Sequence, residues 1–265
     1  MTTLAFAPES PWIEALYLDK VPVLFTLRNT GGDTVIIHSI EGYIWFPPAQ
    51  PDLPPERFPF PAESAQHRLE PGESTTVIVH IRAPLAVQSG TNNVALEVMY
   101  QALRDGRFRP RASSVLPRNA CCVIVKNREM TAKRVFISHK IPEDSESARL
   151  LQEMLRRAGI QGYMAEDDPR FDVNLWREKL PDAIRDSDFT AALWTAYAQA
   201  APEAGVQREI AISDAHDVPV ALLRELGVPL PRGFDQNREW QDLAIENLNA
   251  SLARAAETLW REMKL

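Results

Sequence analysis

The sequence predicts two domains, an all-β sandwich over residues 1–130 and an α/β domain with a parallel sheet over residues 131–265. Three observations carry this reading. Fourteen of the 21 prolines precede residue 131, a density hostile to helices but tolerable in loops and at sheet edges. Before that point, short alternating runs of β-branched and aromatic residues follow one another. After it, apolar strand patterns alternate with helical periodicity. A length of 265 residues suits two domains at roughly 100–200 residues each.

In the first part, Val21, Val23, Phe25 and Leu27 alternate along one strand face. Asn29-Thr-Gly-Gly-Asp33 reads as a turn, since Asn and Gly accept positive φ. Thr34–Phe46 and Thr75–Ile81 are strands, separated by a proline-rich loop over 47–61 and the turn Leu69-Glu-Pro-Gly-Glu73. Val94–Leu103 and Arg107–Val115 flank Asp105-Gly106, a strong hairpin signal. Ala120–Val125 is the last strand, bringing the expected number to about seven, as in a β-sandwich. The run Leu69–Ile81 resembles the turn and strand of bacterial immunoglobulin-like modules.

Arg104, Arg107, Arg109 and Arg111 surround the hairpin tip, the last three sharing a strand face by period 2, with Arg118 nearby. Two readings stay open: an edge strand protected by charge, or a patch for an anion or partner. The adjacent Cys121 and Cys122 cannot form an unstrained bridge and provide no disulfide framework, which suits a reducing compartment. Both are expected to pack as small apolar residues. Lys126–Lys133 reads as a short polar linker, spanning at most ~25–28 Å.

Net charge is -7, so the whole-molecule field disfavours nucleic acid as a partner. The acidity belongs to residues 133–265, which hold 17 basic and 23 acidic side chains against 12 and 13 before them. The first residues carry no basic charge and no long apolar run, so no signal peptide is expected. No run approaches the ~20 apolar residues of a membrane helix. A cytoplasmic protein without membrane attachment is expected.

In the second part, Val135–Ser138 suits a central parallel strand. Asp144–Arg157 is helical, with Ala148, Leu151 and Leu155 inward and Gly159 closing it. Gly162–Ala165 is the next strand and Glu166–Asn174 a polar loop. Leu175–Asp186 is a helix containing Pro181, where a kink or a later start is expected. Strand Phe189–Trp194, helix Val206–Ala215 and strand Val218–Leu223 follow, then one long amphipathic helix over Glu239–Lys264. Ligands of such sheets bind at the carboxyl ends of the strands. Here those ends are Ser138-His139-Lys140, the loop 166–174, and Thr195 onwards.

Phe136-Ile-Ser-His139, then Gly162-Tyr-Met-Ala-Glu-Asp167 with Leu175–Asp188, then Gln207-Arg-Glu209-Ile210 together resemble a bacterial Toll/interleukin-1 receptor (TIR) domain. The resemblance covers about residues 133–262 and implies a flavodoxin-like parallel sheet. It further implies cleavage of NAD+ between nicotinamide and ribose, with Glu209 as the catalytic carboxylate and NAD+ as substrate, no cofactor being needed. Ser138, His139, Lys140, Phe171 and Trp176 are the candidate substrate contacts. Three of them have a plainer role open to them: Trp176 as core packing, His139 as a satisfied strand-end residue, Phe171 as a contact to a neighbouring subunit. The family resemblance also implies self-association through the so-called BB loop (166–174), with the β-module as sensor or oligomerisation element for a trigger or protein partner, and a role in defence against phage.

Two positions depart from the family pattern. Gly205 stands where Trp commonly opens a Trp-x-x-x-Glu pattern, and Val173-Asn174 replace Pro-Gly. Asn accepts left-handed backbone, so a turn is expected there. A non-enzymatic interaction module is the competing reading. A phosphoacceptor receiver lacks the acidic residues it needs, since Ser138-His139 and Thr195 stand at its strand ends.

Overall fold

The computed structural model describes residues 4–46, 56–60, 67–116, 120–168, 173–200, 205–235 and 238–264. The chain divides into two compact units, Met1–Lys126 and Asn127–Leu265.

The first unit is a sandwich of two sheets. Its strands are β1 (Leu4–Pro8), β2 (Trp12–Leu16), β3 (Lys20–Asn29), β4 (Thr34–Phe46), β5 (Glu56–Phe60), β6 (His67–Leu69), β7 (Ser74–Arg82), β8 (Gly90–Arg104), β9 (Arg107–Phe108), β10 (Ala112–Val115) and β11 (Cys122–Lys126). The smaller sheet runs β1-β3-β7; the larger runs β2-β11-β8-β4-β5, with β6, β9 and β10 pairing onto it. Alternation decides what is buried: Val23, Phe25 and Leu27 on β3, and Val77, Val79 and Ile81 on β7. The larger sheet contributes Val35 and Ile37 from β4, and Val94, Leu96 and Val98 from β8.

The strand number exceeds the sequence expectation because β1, β2, β5 and β6 are short or proline-containing and carry weak patterns. The Asn29–Asp33 turn is closed differently from expectation. The fully buried Asn29 side chain donates to Asp33 O at 2.8 Å and Leu69 O at 3.1 Å and accepts from Gly31 N at 3.0 Å. The Asp105-Gly106 hairpin has the expected two positive φ values, 53° and 71°. The strand read as Arg107–Val115 is broken: Pro110 interrupts it and β10 resumes at Ala112. Arg107, Arg109 and Arg111 are exposed but do not share one continuous strand face. Both cysteines are buried and unbridged. Burial, followed by the neighbouring Cys122, pushes the Cys121 thiol up to about 11.

The second unit is a five-stranded, all-parallel sheet in the order β13-β12-β14-β15-β16. Its elements are β12 (Arg134–Ser138), α1 (Ser145–Arg157), β13 (Gln161–Tyr163), α2 (Val173–Arg185), β14 (Phe189–Trp194), α3 (Ala196–Ala200), α4 (Val206–Ala215), β15 (Val220–Glu225), β16 (Trp240–Leu243) and α5 (Leu248–Glu262). Helix α1 packs with α5, and α2 with α4. Phe136 of β12 meets Leu180 and Ile184 of α2 and Val218. Ala192 and Trp194 of β14 meet Val206 and Ile210 of α4 and Leu222 of β15. The strands β12 and β14 are buried almost throughout, as a central position in a parallel sheet requires.

Three expectations are corrected here. Residues 239–264 are not one helix. Trp240–Leu243 forms the edge strand β16 against β15, and α5 begins only at Leu248. The register places Asp242 beside Arg224, their side chains pairing at 2.6 Å, and Arg224 lies over the Trp240 ring at 5.3 Å. These cross-strand pairs satisfy the free edge of β15 better than a helical start would. Helix α2 starts at Val173 and continues through Pro181. The proline costs about 3 kcal/mol; burial of Leu180 and Ile184 offsets it. Val173 and Asn174 therefore lie in the first helical turn, not in a left-handed turn. Finally, residues 127–131 belong to the second unit and pack along the end of α1: Arg128 N donates to Arg157 O at 3.1 Å and Thr131 N to Gly159 O at 2.8 Å. Among the described residues no helix is long and apolar enough to cross a membrane.

Candidate active site

The carboxyl ends of β12, β13 and β14, the start of α1 and the first turn of α4 gather seven polar side chains: Ser138, His139, Asp144, Ser145, Glu166, Thr195 and Glu209. Strand β12 is buried on both faces, so its last residue, Ser138, and the following His139 are carried into the interior. His139 Nδ1 faces the Ile137 carbonyl at 3.4 Å. Its Nε2 faces Glu166 Oε1 at 2.9 Å. Glu166 belongs to a tight 3-10 turn, Ala165–Asp167, that follows β13. Ser145, the first residue of α1, donates its hydroxyl to Glu166 Oε1 at 3.4 Å and lies 3.4 Å from His139 Nε2.

Asp144 is the residue before α1, a position that commonly caps a helix. Its carboxylate makes no such cap. It accepts instead from the Thr195 hydroxyl, just past β14, at 2.8 Å. That bond ties the loop after β12 to the loop after β14. Burial raises the Asp144 pKa; the Thr195 bond, the Lys140 backbone and His139 oppose the rise.

Glu209 stands in the first turn of α4, where the helix dipole favours a negative charge. Its backbone is fixed twice: Glu209 N donates to Gly205 O at 3.0 Å, and Ser213 Oγ bonds both Glu209 O and Thr190 Oγ1 at 2.9 Å. The residue is half-buried, with protein crowding its carboxyl on the inner side. That burial raises its pKa, and the Ser138 hydroxyl, His139 and Arg208 pull against the rise while Glu166 adds to it. Ser138 Oγ lies near enough to Glu209 to act on its charge, yet it is buried and closes no hydrogen bond among the described residues.

The structure thus brings Ser138, His139 and Glu209 together. Lys140 is half-buried beside them, its carbonyl accepting from Asp144 N at 2.8 Å. Phe171 lies outside the described residues, as do 169–172 of the loop read as 166–174. Trp176 is in the first turns of α2, its side chain outside the described residues. Sequence reasoning placed Thr195 and the loop opening at Glu166 at the ligand-binding strand ends, but gave no individual role to Glu166, Asp144, Ser145 or Thr195. Each sits just beyond a strand end or at a helix start, and that placement was the available signal. Among the described residues no group of His, Cys, Asp and Glu is arranged to hold a metal ion.

The TIR domain family model matches residues 135–257. That span begins in β12, ends in α5, and contains the whole parallel sheet and the network above. The C-terminal unit is a TIR domain. No curated protein matches the chain. Among solved structures the chain is similar to the CsuC–CsuE chaperone–tip adhesion subunit complex of Acinetobacter baumannii, at 14% identity over 49% of this chain and 54% of that one, TM-score 0.30. It is similar also to the sporulation control protein Spo0M of Bacillus subtilis, at 15% identity over 48% and 50%, TM-score 0.28. The chain spans about half the length of each, and likenesses this slight carry no argument.

The TIR domain's departure at residue 205 has a conformational cause. Gly205 precedes α4 with φ 114° and ψ -130°, a region open essentially to glycine. A Cβ there would meet nothing within 4 Å, so space is not the obstacle. Gly205→Trp, which restores the common family residue, is expected to lower stability by about 1–3 kcal/mol. Urea unfolding monitored by circular dichroism measures it; an unchanged midpoint would mean that α4 can start from another backbone conformation.

Proposed function

We propose that the TIR domain is an NAD+ nucleosidase that cleaves the bond between nicotinamide and ribose. The observation that carries this is the setting of Glu209: a half-buried carboxyl on a helix N-terminal turn, facing Ser138 and His139 at the carboxyl end of the sheet. Nicotinamide leaves NAD+ as a neutral ring, so no acid is needed to protonate it. The difficulty is the cation that develops on the ribose, as in other glycosyl transfers. A fixed carboxylate beside that carbon stabilises the cation, and a dry surround strengthens the interaction. Ser138 and the α4 dipole oppose the rise that burial imposes on the Glu209 carboxyl. The candidate substrate contacts are His139, Lys140, Phe171 and Trp176, with Ser138 orienting Glu209.

The product is ADP-ribose or a cyclic ADP-ribose. In this reading the domain is active when copies assemble through the loop 166–174, the β-sandwich acts as sensor or oligomerisation module for a trigger or protein partner, and NAD+ cleavage serves cytoplasmic defence against phage. The test is nicotinamide release from NAD+ over a range of concentrations of the full chain. Release rising faster than linearly with protein concentration supports an assembly-dependent nucleosidase. No release at any concentration, with or without a crowding agent that drives assembly, favours the interaction-module reading.

A further inference from the structure

The larger sheet of the first unit has an open edge at β10. Among the described residues β10 pairs with β8 alone, antiparallel, Ser113 opposite Met99 and Val115 opposite Glu97. Leu116 N donates to Leu96 O at 2.8 Å, and that bond sets the phase. Antiparallel strands alternate, so the backbone groups of Ala112 and Ser114 also turn toward β8, while those of Ser113 and Val115 turn away from it. Ser113 and Val115 are both exposed, Val115 to 56%. The Ser114 hydroxyl donates to Leu4 O at 2.9 Å, which fastens the strand to the smaller sheet and fixes the edge in place.

Natural sheets guard such edges with charge, proline or local capping. Strand β2, at one end of the same sheet, is guarded. The Ser10 hydroxyl engages both Trp12 N and Trp12 O, Asp19 N donates to Leu16 O, and Glu14 pairs with Lys126 at 2.6 Å. Strand β10 contains none of these devices: Ala112-Ser113-Ser114-Val115 is uncharged and free of proline.

Charge stands instead at its amino-terminal end. Phe108 pairs with Leu103 and Ala112 with Tyr100, so the chain carries one extra residue opposite β8, a bulge at Arg109-Pro110-Arg111. Arg107, Arg109 and Arg111 are exposed and form no ion pair among the described residues. Arg104 differs, lying 3.8 Å from Asp33 and 3.9 Å from Asp105. Phe108 stands among the arginines, 60% exposed. Glu97 lies opposite Val115, so only one end of the edge is basic.

We propose that β10 takes an extended protein segment as an added strand, and that this segment bears carboxylates where it passes Arg107, Arg109 and Arg111. Its main chain pairs with the outward groups of Ser113 and Val115, which supplies affinity. Its carboxylates meet the guanidinium groups, which supplies selection. Strand addition requires peptide N–H and C=O groups on the partner, so a protein segment fits this edge and a nucleic acid does not. A flexible segment fits better than a second copy of this chain. Four residues are a short edge for two rigid sandwiches, since stable interfaces bury roughly 1,200–2,000 Å². A segment can follow the edge past the bulge to Phe108. The proposal rests on the β-sandwich being the module that meets a partner, and makes no use of NAD+ cleavage.

The experiment uses the full chain without NAD+, so its outcome is separate from that of the nicotinamide assay. The probe is the fluorescein-labelled peptide Glu-Glu-Val-Thr-Val-Thr-Val, beside a second probe with lysine in place of both glutamates. Fluorescence anisotropy should show saturable binding of the acidic probe and at least about tenfold weaker binding of the basic one. Arg109→Glu combined with Arg111→Glu should invert that preference, a result that misfolding cannot produce. Ser113→Pro removes an outward N–H at an edge position, where proline is tolerated, and should abolish binding of the acidic probe. In hydrogen exchange the Ser113 and Val115 amides should gain protection when the acidic probe binds. No binding of the acidic probe overturns the proposal, as do equal affinities for both probes or protection gained elsewhere than at Ser113 and Val115. A wild-type chain that dimerises in sedimentation while Ser113→Pro stays monomeric assigns the edge to a second copy, and overturns the acidic segment as its occupant.

Discussion

Glu209→Gln is expected to lower nicotinamide release by about 10²–10³-fold while making the folded protein more stable at neutral pH. The two effects have one cause. The half-buried carboxyl is costly to ionise, and its pKa is raised mainly by burial. The sign follows from linkage: a folded-state pKa above the unfolded value means that the folded form binds the proton more tightly. Stability contributed by protonated Glu209 is full below the ordinary carboxylate pKa of 4.5 and is lost as pH rises through the raised value. Glutamine carries no charge, so its stability advantage should be absent at low pH and grow as pH rises. Thermal midpoints of both proteins across pH 4–8, beside the release assay, measure this directly. Equal activity would sink the catalytic assignment. A variant less stable than wild type at neutral pH would mean that the bonds of ionised Glu209 outweigh its burial cost.

The place of Glu209 in the first turn of α4 was legible because it follows Gln207-Arg208 in a helix whose limits the sequence marks clearly. The strand Phe189–Trp194 and the helix Val206–Ala215 form over the residues read for them. One is a continuous apolar run buried at nearly every position. The other starts after a glycine and ends before a polar loop. The order of the second unit was legible for the same reason, up to β15. The error at residues 239–247 shows where periodicity fails. Trp240 and Leu243 are three apart, which fits a helix face, but only four residues are involved. A segment that short becomes a strand because β15 has an open edge and Arg224 can pair with Asp242. Nothing within the segment itself says so. The His139–Glu166 pair was hidden for a related reason. The two residues are 27 positions apart, and only the parallel register of β12 with β13 brings their following loops together. Sequence shows that both lie past strand ends; the pairing belongs to the sheet.

Gly159→Ala is expected to destabilise the second unit strongly while leaving the network at the strand ends untouched. Gly159 follows α1 with φ 78°, a left-handed conformation that costs a non-glycine residue about 1–2 kcal/mol. The larger penalty is contact. An added Cβ would stand 2.3 Å from Glu129 O, a backbone atom, and 3.3 Å from Arg128 Cβ. A backbone carbonyl cannot rotate aside as a flexible side chain does, so residues 127–131 must move away from the end of α1. That movement breaks the bonds from Thr131 N and Thr131 Oγ1 to Gly159 O, at 2.8 and 2.9 Å, and strains Arg128 N to Arg157 O. Overpacking of this kind adds about 1–3 kcal/mol, giving about 2–5 kcal/mol in all with the conformational term. Urea unfolding of the full chain checks the loss. Hydrogen exchange locates it: the Thr131 and Arg128 amides should lose protection first, while those of β14 keep it. Loss spread evenly over the second unit would mean that residues 127–131 are part of its cooperative core. A loss below about 1 kcal/mol would mean that the segment gives way freely and that its packing on α1 contributes little.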